Sequence, residues 1–169
     1  DMDIMVSEGE RLGRLVNDIL DLSKLEAGRM KLELTDVEIG PIVHGAIAAT
    51  SALWRAKSLR VEPETPSAVP LVWGDADRLS QVMVNLLSNA TKFTDEGIIF
   101  VRVTFDEDFV TVRVKDSGRG IPPDEVNGVF EKFRQVDAAQ RGRPLGTGLG
   151  LPICRELIRL HKGRIWVES

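Results

Sequence analysis

The sequence predicts an α/β two-layer sandwich, in which a mixed sheet is covered on one face by helices and is preceded by a long helix. Three observations support this fold class. Residues 2–27 place apolar side chains at helical spacing without interruption. Downstream, some segments show the apolar–polar alternation that is typical of strands. These segments are interspersed along the chain with amphipathic helical segments. Two alternating segments, residues 97–105 and 109–115, are joined by a short acidic turn, so we expect them to pair antiparallel.

Length and composition fit one compact domain with a short appendage. The chain has 169 residues, of which 43% are hydrophobic and 28% are charged, enough to bury a core without disulfide bonds. Its formal net charge of −4 gives no electrostatic case for nucleic acid or an anionic membrane as the main partner. Cys154 is the single cysteine, which excludes an internal disulfide and fits a reducing cytoplasm. No apolar run of the sequence approaches the roughly 20 residues that cross a bilayer.

The long N-terminal helix carries an apolar seam that a single helix cannot bury. Charged side chains fill most of the other positions, as in a coiled coil, and Gly28 is placed to end the helix. The seam can pack on the rest of the chain or pair with a helix of another chain, and its a/d-like spacing favours the second alternative. Its members are Leu12, Leu15, Ile19, Leu22 and Leu25.

The remaining elements follow from periodicity and from turn residues. His44 and His161 fall on predicted helices, where each is expected to be an ordinary side chain rather than a ligand. Residues 135–145 lose all periodicity and are expected to form a mobile loop. Strands are predicted at residues 30–37, 58–64, 71–74, 97–105, 109–115 and 164–168, and helices at residues 39–57, 122–133 and 149–162, with a further helix within residues 75–94.

The most informative run is D-A-D-R-L-S-Q-V-M-V-N-L-L-S-N-A-T-K-F-T, residues 75–94, whose first residue, Asp75, can cap a helix. One face of this helix is apolar. The other face carries Asn85 and Asn89, although asparagine is a weak helix former. Amide oxygens can bind a hard cation such as Mg²⁺, and Lys92 lies where it could meet phosphates. Taken alone, the run leaves a solvated polar face equally open.

Two glycine-rich segments follow, K-D-S-G-R-G-I at residues 115–121 and G-T-G-L-G-L at residues 146–151. In the first, Asp116 ends a predicted strand, and the glycines allow sharp bending and close approach of a ligand. The second has the spacing of neither a dinucleotide fingerprint nor a P-loop. This second segment leads into the helix that begins at Leu149, so its backbone N–H groups and the helix dipole can hold phosphate oxygens. A flexible loop without a ligand is the alternative.

In order and spacing, the asparagine-rich helix and the two glycine boxes resemble those of the Bergerat-type ATPases, which include sensor histidine kinases, gyrase-type ATPases and Hsp90 chaperones. The runs N-L-L-S-N-A-T-K-F-T, V-F-E-K-F-R-Q and K-G-R-I-W-V-E-S resemble the sensor histidine kinases within this group. The resemblance covers essentially the whole chain. It implies the Bergerat ATPase fold, ATP with Mg²⁺ as cofactors, and an enzyme that is a protein histidine kinase.

The resemblance assigns the purine end of the site to the first glycine box. Asp116 is expected to accept a hydrogen bond from the adenine amino group, which guanine does not offer at that position. Its alternative role is to cap a turn. The other residues expected to bind the base are Phe93, Gly118, Gly120 and Ile121.

The resemblance assigns the metal and the phosphates to the asparagine-rich helix and the second glycine box. Asn89 is the expected Mg²⁺ ligand, and Asn85 is a polar neighbour of the phosphates where gyrase-type relatives carry a water-activating glutamate. Efficient ATP hydrolysis is therefore not expected. Catalysis is expected to rest on Asn85, Lys92 and Arg134, with Arg141 and Arg143 as further candidates to stabilise charge. Nucleotide contacts are also expected from Lys92, Gly146, Thr147, Gly148, Leu149 and Gly150.

The resemblance also implies a domain organisation. Residues 1–29 resemble the second helix of the histidine-kinase dimerisation hairpin, and residues 30–169 resemble the catalytic ATP-binding domain. The first helix of that hairpin normally carries the acceptor histidine, and no such motif occurs in this sequence. Relatives usually continue past W-V-E-S into one more strand. We therefore expect a fragment that lacks this strand and does not phosphorylate itself.

The expected function is to donate the γ-phosphoryl group of ATP to a histidine outside this fragment, in two-component signal transduction. Expected partners are an acceptor-histidine hairpin, a response-regulator receiver domain and, in the full-length protein, a second copy bound through the N-terminal helix. Neither nucleic acid nor membrane contact is expected of the fragment. The expected location is cytoplasmic, including the cytosolic part of a membrane-anchored sensor. The alternative function is a nucleotide-gated interaction module, which binds ATP and transfers nothing.

Overall fold

The computed structural model describes residues 2–135 and 146–169, which form two compact units. The sheet unit is Leu32–Gly120, and the helix unit combines Asp1–Lys31 with Ile121–Ser169. The predicted division into residues 1–29 and 30–169 differs from these units and stays a prediction about domain organisation. Of the predicted mobile loop, residues 136–145 lie outside the described residues, and so do Arg141 and Arg143.

The chain forms five helices and five strands within the described residues. All the strands lie in the sheet unit, together with three of the helices. The helices are α1 (Met2–Glu26), α2 (Ile39–Ala49), α3 (Ser51–Ala56), α4 (Ala76–Phe93) and α5 (Gly150–Leu160). The strands are β1 (Thr35–Val37), β2 (Arg60–Glu64), β3 (Val72–Gly74), β4 (Ile98–Phe105) and β5 (Val110–Asp116).

The sheet unit is built on a mixed three-stranded sheet with the order β2–β4–β5. Strand β2 runs parallel to β4, with Val61 opposite Ile99, whereas β5 runs antiparallel to β4, with Val114 opposite Val101. The predicted antiparallel pair is therefore confirmed. Strands β1 and β3 form a separate antiparallel pair.

Helices α2 and α4 cover one face of this sheet. The alternation of β4 sends every second side chain inward, and the period of 3.6 residues gives each helix one apolar face. Burial of apolar surface on this scale is the main favourable contribution to folding. The predicted fold class is thus confirmed. The buried core residues are Val37, Ile39, Ile42, Val43, Ala46, Leu59, Met83, Leu87, Ala90, Ile99, Val101 and Val103.

Two elements of the sheet unit are shorter than predicted. The helix expected at residues 39–57 is divided at Thr50, whose hydroxyl donates to the Ala46 carbonyl (2.9 Å) and so bends the chain between α2 and α3. The strand expected at residues 30–37 pairs only over β1. The N–H of Glu33 donates instead to the Asp75 carboxylate (2.9 Å), so this backbone group is not available to a sheet.

In the helix unit, α1 ends as the sequence predicts. Gly28 has a φ of +65°, and the N–H groups of Gly28 and Arg29 donate to the carbonyls of Leu25 and Lys24 (3.1 and 2.9 Å). This is a Schellman motif, for which glycine is the favoured residue. Helix α1 contacts α5, and the last two seam residues, Leu22 and Leu25, are buried. Further towards the N-terminus, the seam residues Leu12 and Ile19 are exposed (61% and 45% accessible), and Leu15 is half-buried.

Two predictions for the helix unit were wrong. Residues 122–133 form a 3₁₀ turn at Val126–Gly128 rather than a helix, because the hydrogen bonds close tight turns and Phe133 has a φ of +59°. Residues 164–168 were expected to form a strand, but they pair with no strand among the described residues. Apolar–polar alternation gives only a preference, and a strand exists when a neighbour takes its backbone hydrogen bonds.

Gly13 within α1 and Gly28 just after it give a matched test of backbone conformation. A Cβ atom would meet nothing within 4 Å at Gly13 or at Gly28, so packing does not contribute at either position. We expect G13A to raise the free energy of unfolding by about 0.5–1 kcal/mol, because alanine is the better helix former. We expect G28A to lower it by about 1 kcal/mol, because Gly28 has left-handed backbone. Urea unfolding followed by circular dichroism measures both, and equal signs for the two variants would contradict the assignment.

Candidate functional site

Asp75 fixes the start of α4, the asparagine-rich helix. One oxygen of its buried carboxylate accepts a hydrogen bond from the Arg78 N–H (3.1 Å), and the other accepts one from the Glu33 N–H (2.9 Å). Burial by itself raises the pKa of this carboxyl. The hydrogen bonds from the N–H groups of Glu33, Arg78 and Asp77 outweigh burial and hold the pKa below its ordinary value. The predicted N-cap is therefore present.

The asparagines of α4 lie away from its buried face. Asn85, Asn89 and Lys92 are all half-buried. Within the residues that the structure describes, the Asn89 amide has no hydrogen-bond partner. A half-buried amide without a protein partner has its oxygen available to a ligand or to water. The buried residues of α4 are Val82, Met83, Leu87, Ala90 and Thr91.

The first glycine box is packed against the C-terminal end of α4. A Cβ atom at Gly118 would collide with the carbonyl oxygen of Phe93 and would lie 2.7 Å from Asp116 Oδ1. Gly120 has a φ of +74°, a left-handed conformation that suits glycine. The sheet unit therefore brings together the end of the asparagine-rich helix and the glycine box, which are distant in sequence.

Asp116 lies at the end of β5 with an exposed side chain. Its Oδ1 accepts a hydrogen bond from the Gly118 N–H (2.8 Å), which is the turn-capping role considered as its alternative. Among residues 2–135 and 146–169, no donor reaches its other oxygen. The turn thus orients the carboxylate and leaves one oxygen for a further donor.

Arg119 covers the ring of Phe93. Its guanidinium carbon lies 5.4 Å from the ring centroid, within the range of a cation–π contact. Sequence reasoning missed this residue, although its position between Gly118 and Gly120 places it inside the first glycine box. A base that stacks on Phe93 has to share or replace this contact.

In the helix unit, the second glycine box is held by α1. The Thr147 hydroxyl donates to Asp18 Oδ2 (2.8 Å) and accepts from the Leu149 N–H (3.2 Å). Gly148 has a φ of +73°, and a Cβ atom there would lie 2.8 Å from the Phe133 Cα. Leu149 is fully buried, and Gly150 begins α5, as expected of a box that opens a helix. The contact with Asp18 joins residues 129 positions apart, and no local pattern predicts it.

Two further predicted site residues belong to the helix unit. Arg134 is exposed and forms an ion pair with Glu131 (2.8 Å), whose carboxylate raises the pKa of the guanidinium above its ordinary value. The N–H of Ile121 donates to the Ser169 hydroxyl (2.6 Å). The predicted site residues that the structure describes are therefore divided between the units. Ile121, Arg134 and residues 146–150 lie in the helix unit, and the other described ones lie in the sheet unit.

No side-chain metal cage is present in the described part of the chain, since it holds no group of three or more His, Cys, Asp and Glu residues suited to a metal ion. Mg²⁺ bound with a nucleotide does not require one, because it takes one or two protein ligands and completes its shell with phosphates and waters. The single available amide of Asn89 fits a shared site of this kind.

Residues 74–169 match the family model of the histidine kinase-, DNA gyrase B- and HSP90-like ATPases, and this match covers more than half of the chain. The chain belongs to this ATPase family. The matched segment begins immediately before Asp75, so it contains the asparagine-rich helix and both glycine boxes.

The relatives of the chain within this ATPase family include sensor histidine kinases. The sensor histidine kinase RcsC of Escherichia coli is 40% identical over 169 residues, which cover 98% of this chain and 18% of RcsC. The crystal structure of full-length ShkA in complex with AMPPNP matches 96% of this chain and 34% of ShkA, with a TM-score of 0.85 and 30% identity. Histidine kinase ThkA, solved in complex with the response regulator protein TrrA, matches with a TM-score of 0.77 and 27% identity over 99% of this chain and 46% of that one.

The chain spans 11% to 22% of the full length of three curated relatives that it matches. None of the helices formed by residues 2–135 and 146–169 combines the length and apolar character needed to cross a membrane.

Replacing Asp75 tests the cap of α4 and its charge separately. We expect D75A to lower the free energy of unfolding near neutral pH by about 1 kcal/mol, since it removes both hydrogen bonds of the cap. D75N keeps an oxygen acceptor and loses the charge. Because the folded-state pKa is lowered, the charge stabilises the protein above the ordinary carboxyl pKa of about 3.9. That contribution is lost as the pH falls through the folded-state pKa.

Urea unfolding of the wild type, D75A and D75N across this acidic range measures both effects. The difference in stability between the wild type and D75N should shrink on acidification. A difference that is constant or grows as the pH falls would contradict the direction of the pKa shift.

Proposed function

We propose that this chain is the ATP-binding catalytic region of a sensor histidine kinase, and that it donates the γ-phosphoryl group of ATP to a histidine outside residues 1–169. The observation that carries the proposal is the packing of Gly118 on the Phe93 carbonyl. This contact joins the asparagine-rich helix to the first glycine box and holds a carboxylate at the end of β5. Membership of the ATPase family supports the proposal at the level of the family.

Adenine recognition is assigned to Asp116. Its carboxylate is oriented by the Gly118 N–H and is exposed, so it can accept a hydrogen bond from the adenine amino group. A guanine base carries a carbonyl oxygen at this position and would repel the carboxylate. Phe93 offers a ring for contact with the base once Arg119 shares or releases it. The pocket for the same base is proposed to be lined by Gly118, Gly120 and Ile121.

The metal and the reacting phosphates are assigned to the half-buried polar stripe of α4. Asn89 supplies an amide oxygen for Mg²⁺, which neutralises phosphate charge when bound. Asn85 is neutral and cannot remove a proton from water, which favours transfer over hydrolysis. Lys92, and Arg134 after release from Glu131, would stabilise charge on the transferred group. The chain's own contribution is then positioning and charge neutralisation.

The second glycine box is assigned the remaining phosphate contacts, through Gly146, Thr147, Gly148, Leu149 and Gly150. Backbone N–H groups at the start of α5 favour an anion because they have no partner within the helix. The Thr147 hydroxyl is bonded to Asp18. A phosphate contact by Thr147 would therefore replace a contact with a carboxylate.

The proposed partners follow from the same reaction. An acceptor-histidine hairpin receives the phosphoryl group, and a receiver domain takes it onward; ThkA, a relative, was solved with a response regulator. The exposed part of the α1 seam, including Leu12 and Ile19, suits pairing with a second copy in the full-length protein. We propose a cytoplasmic location for this region, where ATP is available.

One observation favours the alternative of a nucleotide-gated interaction module. The hydrogen bond between Thr147 and Asp18 ties the second glycine box to α1, so a ligand at this box can compete with docking of the helix. Such a module binds ATP and changes its contacts without transferring phosphate.

Phosphoryl transfer to a separate hairpin distinguishes the two functions. The chain is mixed with radiolabelled ATP, Mg²⁺ and a hairpin that carries an acceptor histidine. We expect acid-labile phosphate on the hairpin, and much less with N89A, because Asn89 is the proposed metal ligand. Nucleotide binding without any transfer would refute the kinase and leave the module. Absence of binding would refute both.

D116N tests adenine recognition without removing the turn. The asparagine oxygen can still accept from the Gly118 N–H, but the side chain loses the acceptor proposed for the adenine amino group. We expect the affinity for ADP, measured by calorimetry, to fall about tenfold or more. D106N is the matched control, since Asp106 caps the turn between β4 and β5 through the N–H groups of Asp108 and Phe109. Unchanged affinity in D116N, or an equal loss in D106N, would contradict the assigned role.

A further inference from the structure

Lys57 binds the C-terminal end of α4 from a distant part of the chain. Its ammonium donates to the carbonyl oxygens of Thr91 (2.9 Å), Lys92 (3.1 Å) and Thr94 (3.0 Å). It also forms an ion pair with Asp95 (3.7 Å). An ammonium has three N–H donors and no acceptor, so three carbonyl oxygens satisfy its donors completely.

The contacts of Lys57 take the place of the usual C-terminal cap of a helix. The last four carbonyls of an α-helix have no partner within it. Thr94, which follows α4, is extended (φ −109°, ψ 120°), so the chain enters the next strand without the left-handed residue that ends α1 at Gly28. The carbonyls of α4 therefore depend on side chains, and Lys57 supplies two of the four partners needed.

Of the other two carbonyls, that of Ala90 has a hydrogen bond, and that of Phe93 is in close steric contact with the first glycine box. The Ala90 carbonyl accepts from the Thr94 hydroxyl (2.7 Å), and the Phe93 carbonyl lies against Gly118, where a Cβ atom would collide with it. The last turn of α4 is thus held from one side by Lys57 and from the other by the first glycine box. A positive charge at this end of the helix is also favoured by the helix dipole.

We propose that Lys57 is a positioning residue for nucleotide binding, an inference that rests on the function proposed above. It acts through the backbone of the last turn of α4, which carries the side chains of Lys92 and Phe93. Through the Phe93 carbonyl, the same turn sets the place of Gly118 and so of Asp116. Lys57 touches neither the base nor the phosphates in this assignment. Its effect is on the geometry of residues that do.

Lysine suits this role better than other residues. Its four-carbon side chain reaches from the end of α3 to α4, and its compact charge can point three donors at three oxygens in one small volume. Methionine has a similar length without the donors. Lys57→Met therefore removes the hydrogen bonds and keeps most of the apolar contact of the stem. Lys57→Arg keeps the charge and the donors in a planar arrangement.

The test compares K57M and K57R with the wild type and with K31M, which removes the same charge from an exposed lysine outside the sheet unit. Stability is measured by urea unfolding, and the affinity for ADP with Mg²⁺ by calorimetry under conditions where each variant is folded. We expect K57M to bind ADP about fivefold more weakly or worse. K31M should bind like the wild type, and K57R should lie between the wild type and K57M. A folded K57M that binds ADP with wild-type affinity would overturn the proposal, even if the variant is less stable. Lys57 would then stabilise the end of α4 without affecting nucleotide binding.

A second measurement does not depend on nucleotide. Amide ¹H–¹⁵N spectra without ligand should differ between K57M and the wild type at Phe93 and Gly118, and not in K31M. If the wild type fails to bind ADP, the proposed function fails, and this spectrum still decides whether Lys57 positions the glycine box. Unchanged Phe93 and Gly118 signals would overturn the inference. If K57M does not fold, K57Q, which keeps two N–H donors on a shorter side chain, is judged by the same criteria.

Discussion

The packing of Gly118 on the carbonyl of Phe93 is the constraint on which the candidate site depends. It fixes the distance between the end of α4 and the turn after β5, because a side chain at this glycine has no room. The turn itself is closed by the Asp116 carboxylate, which accepts from the Gly118 N–H. The end of α4, the turn and the carboxylate are therefore held together by close contacts, and β5 pairs with β4 over seven residues just before this turn.

The polar side chains of the site combine structural and chemical roles. Asp116 closes a turn with one oxygen and presents the other, so a structural hydrogen bond orients a group that can recognise a ligand. Asp75 similarly begins α4 while holding the N–H of Glu33, which links the start of the helix to the segment before β1. In the helix unit, Thr147 is bonded to Asp18, so a group expected to meet phosphates is held by a carboxylate instead. Ligand binding at such a group exchanges one charge-assisted hydrogen bond for another and is sensitive to the position of α1.

Much of the sheet unit could be predicted because its patterns are local. Each of these patterns lies within about ten to twenty neighbouring residues, the window in which helical and strand periodicity can be recognised. They are the helical period of α4, its Asp75 cap, and the alternation of β4 and β5. The same reasoning was wrong at residues 164–168, where alternation is present but no strand of residues 2–135 or 146–169 pairs with the segment, and at residues 122–133, where two prolines precede a tight turn. In both cases the outcome depends on hydrogen-bond partners that the segment does not contain.

The sequence by itself determined most helices and strands of the sheet unit, the C-terminal end of α1 at Gly28, the start of α4 at Asp75, and the spacing of the asparagines and glycines that marks the ATPase family. Tertiary structure decided which of these residues meet. Lys57 lies 34 to 37 residues from the carbonyls that it holds, and Asp18 lies 129 residues from Thr147. A local pattern records only the preference of a segment for helix, strand or turn. Hydrogen bonds between distant residues form only when the folded backbone brings a donor and an acceptor to about 3 Å. The sequence of either segment alone does not predict this proximity.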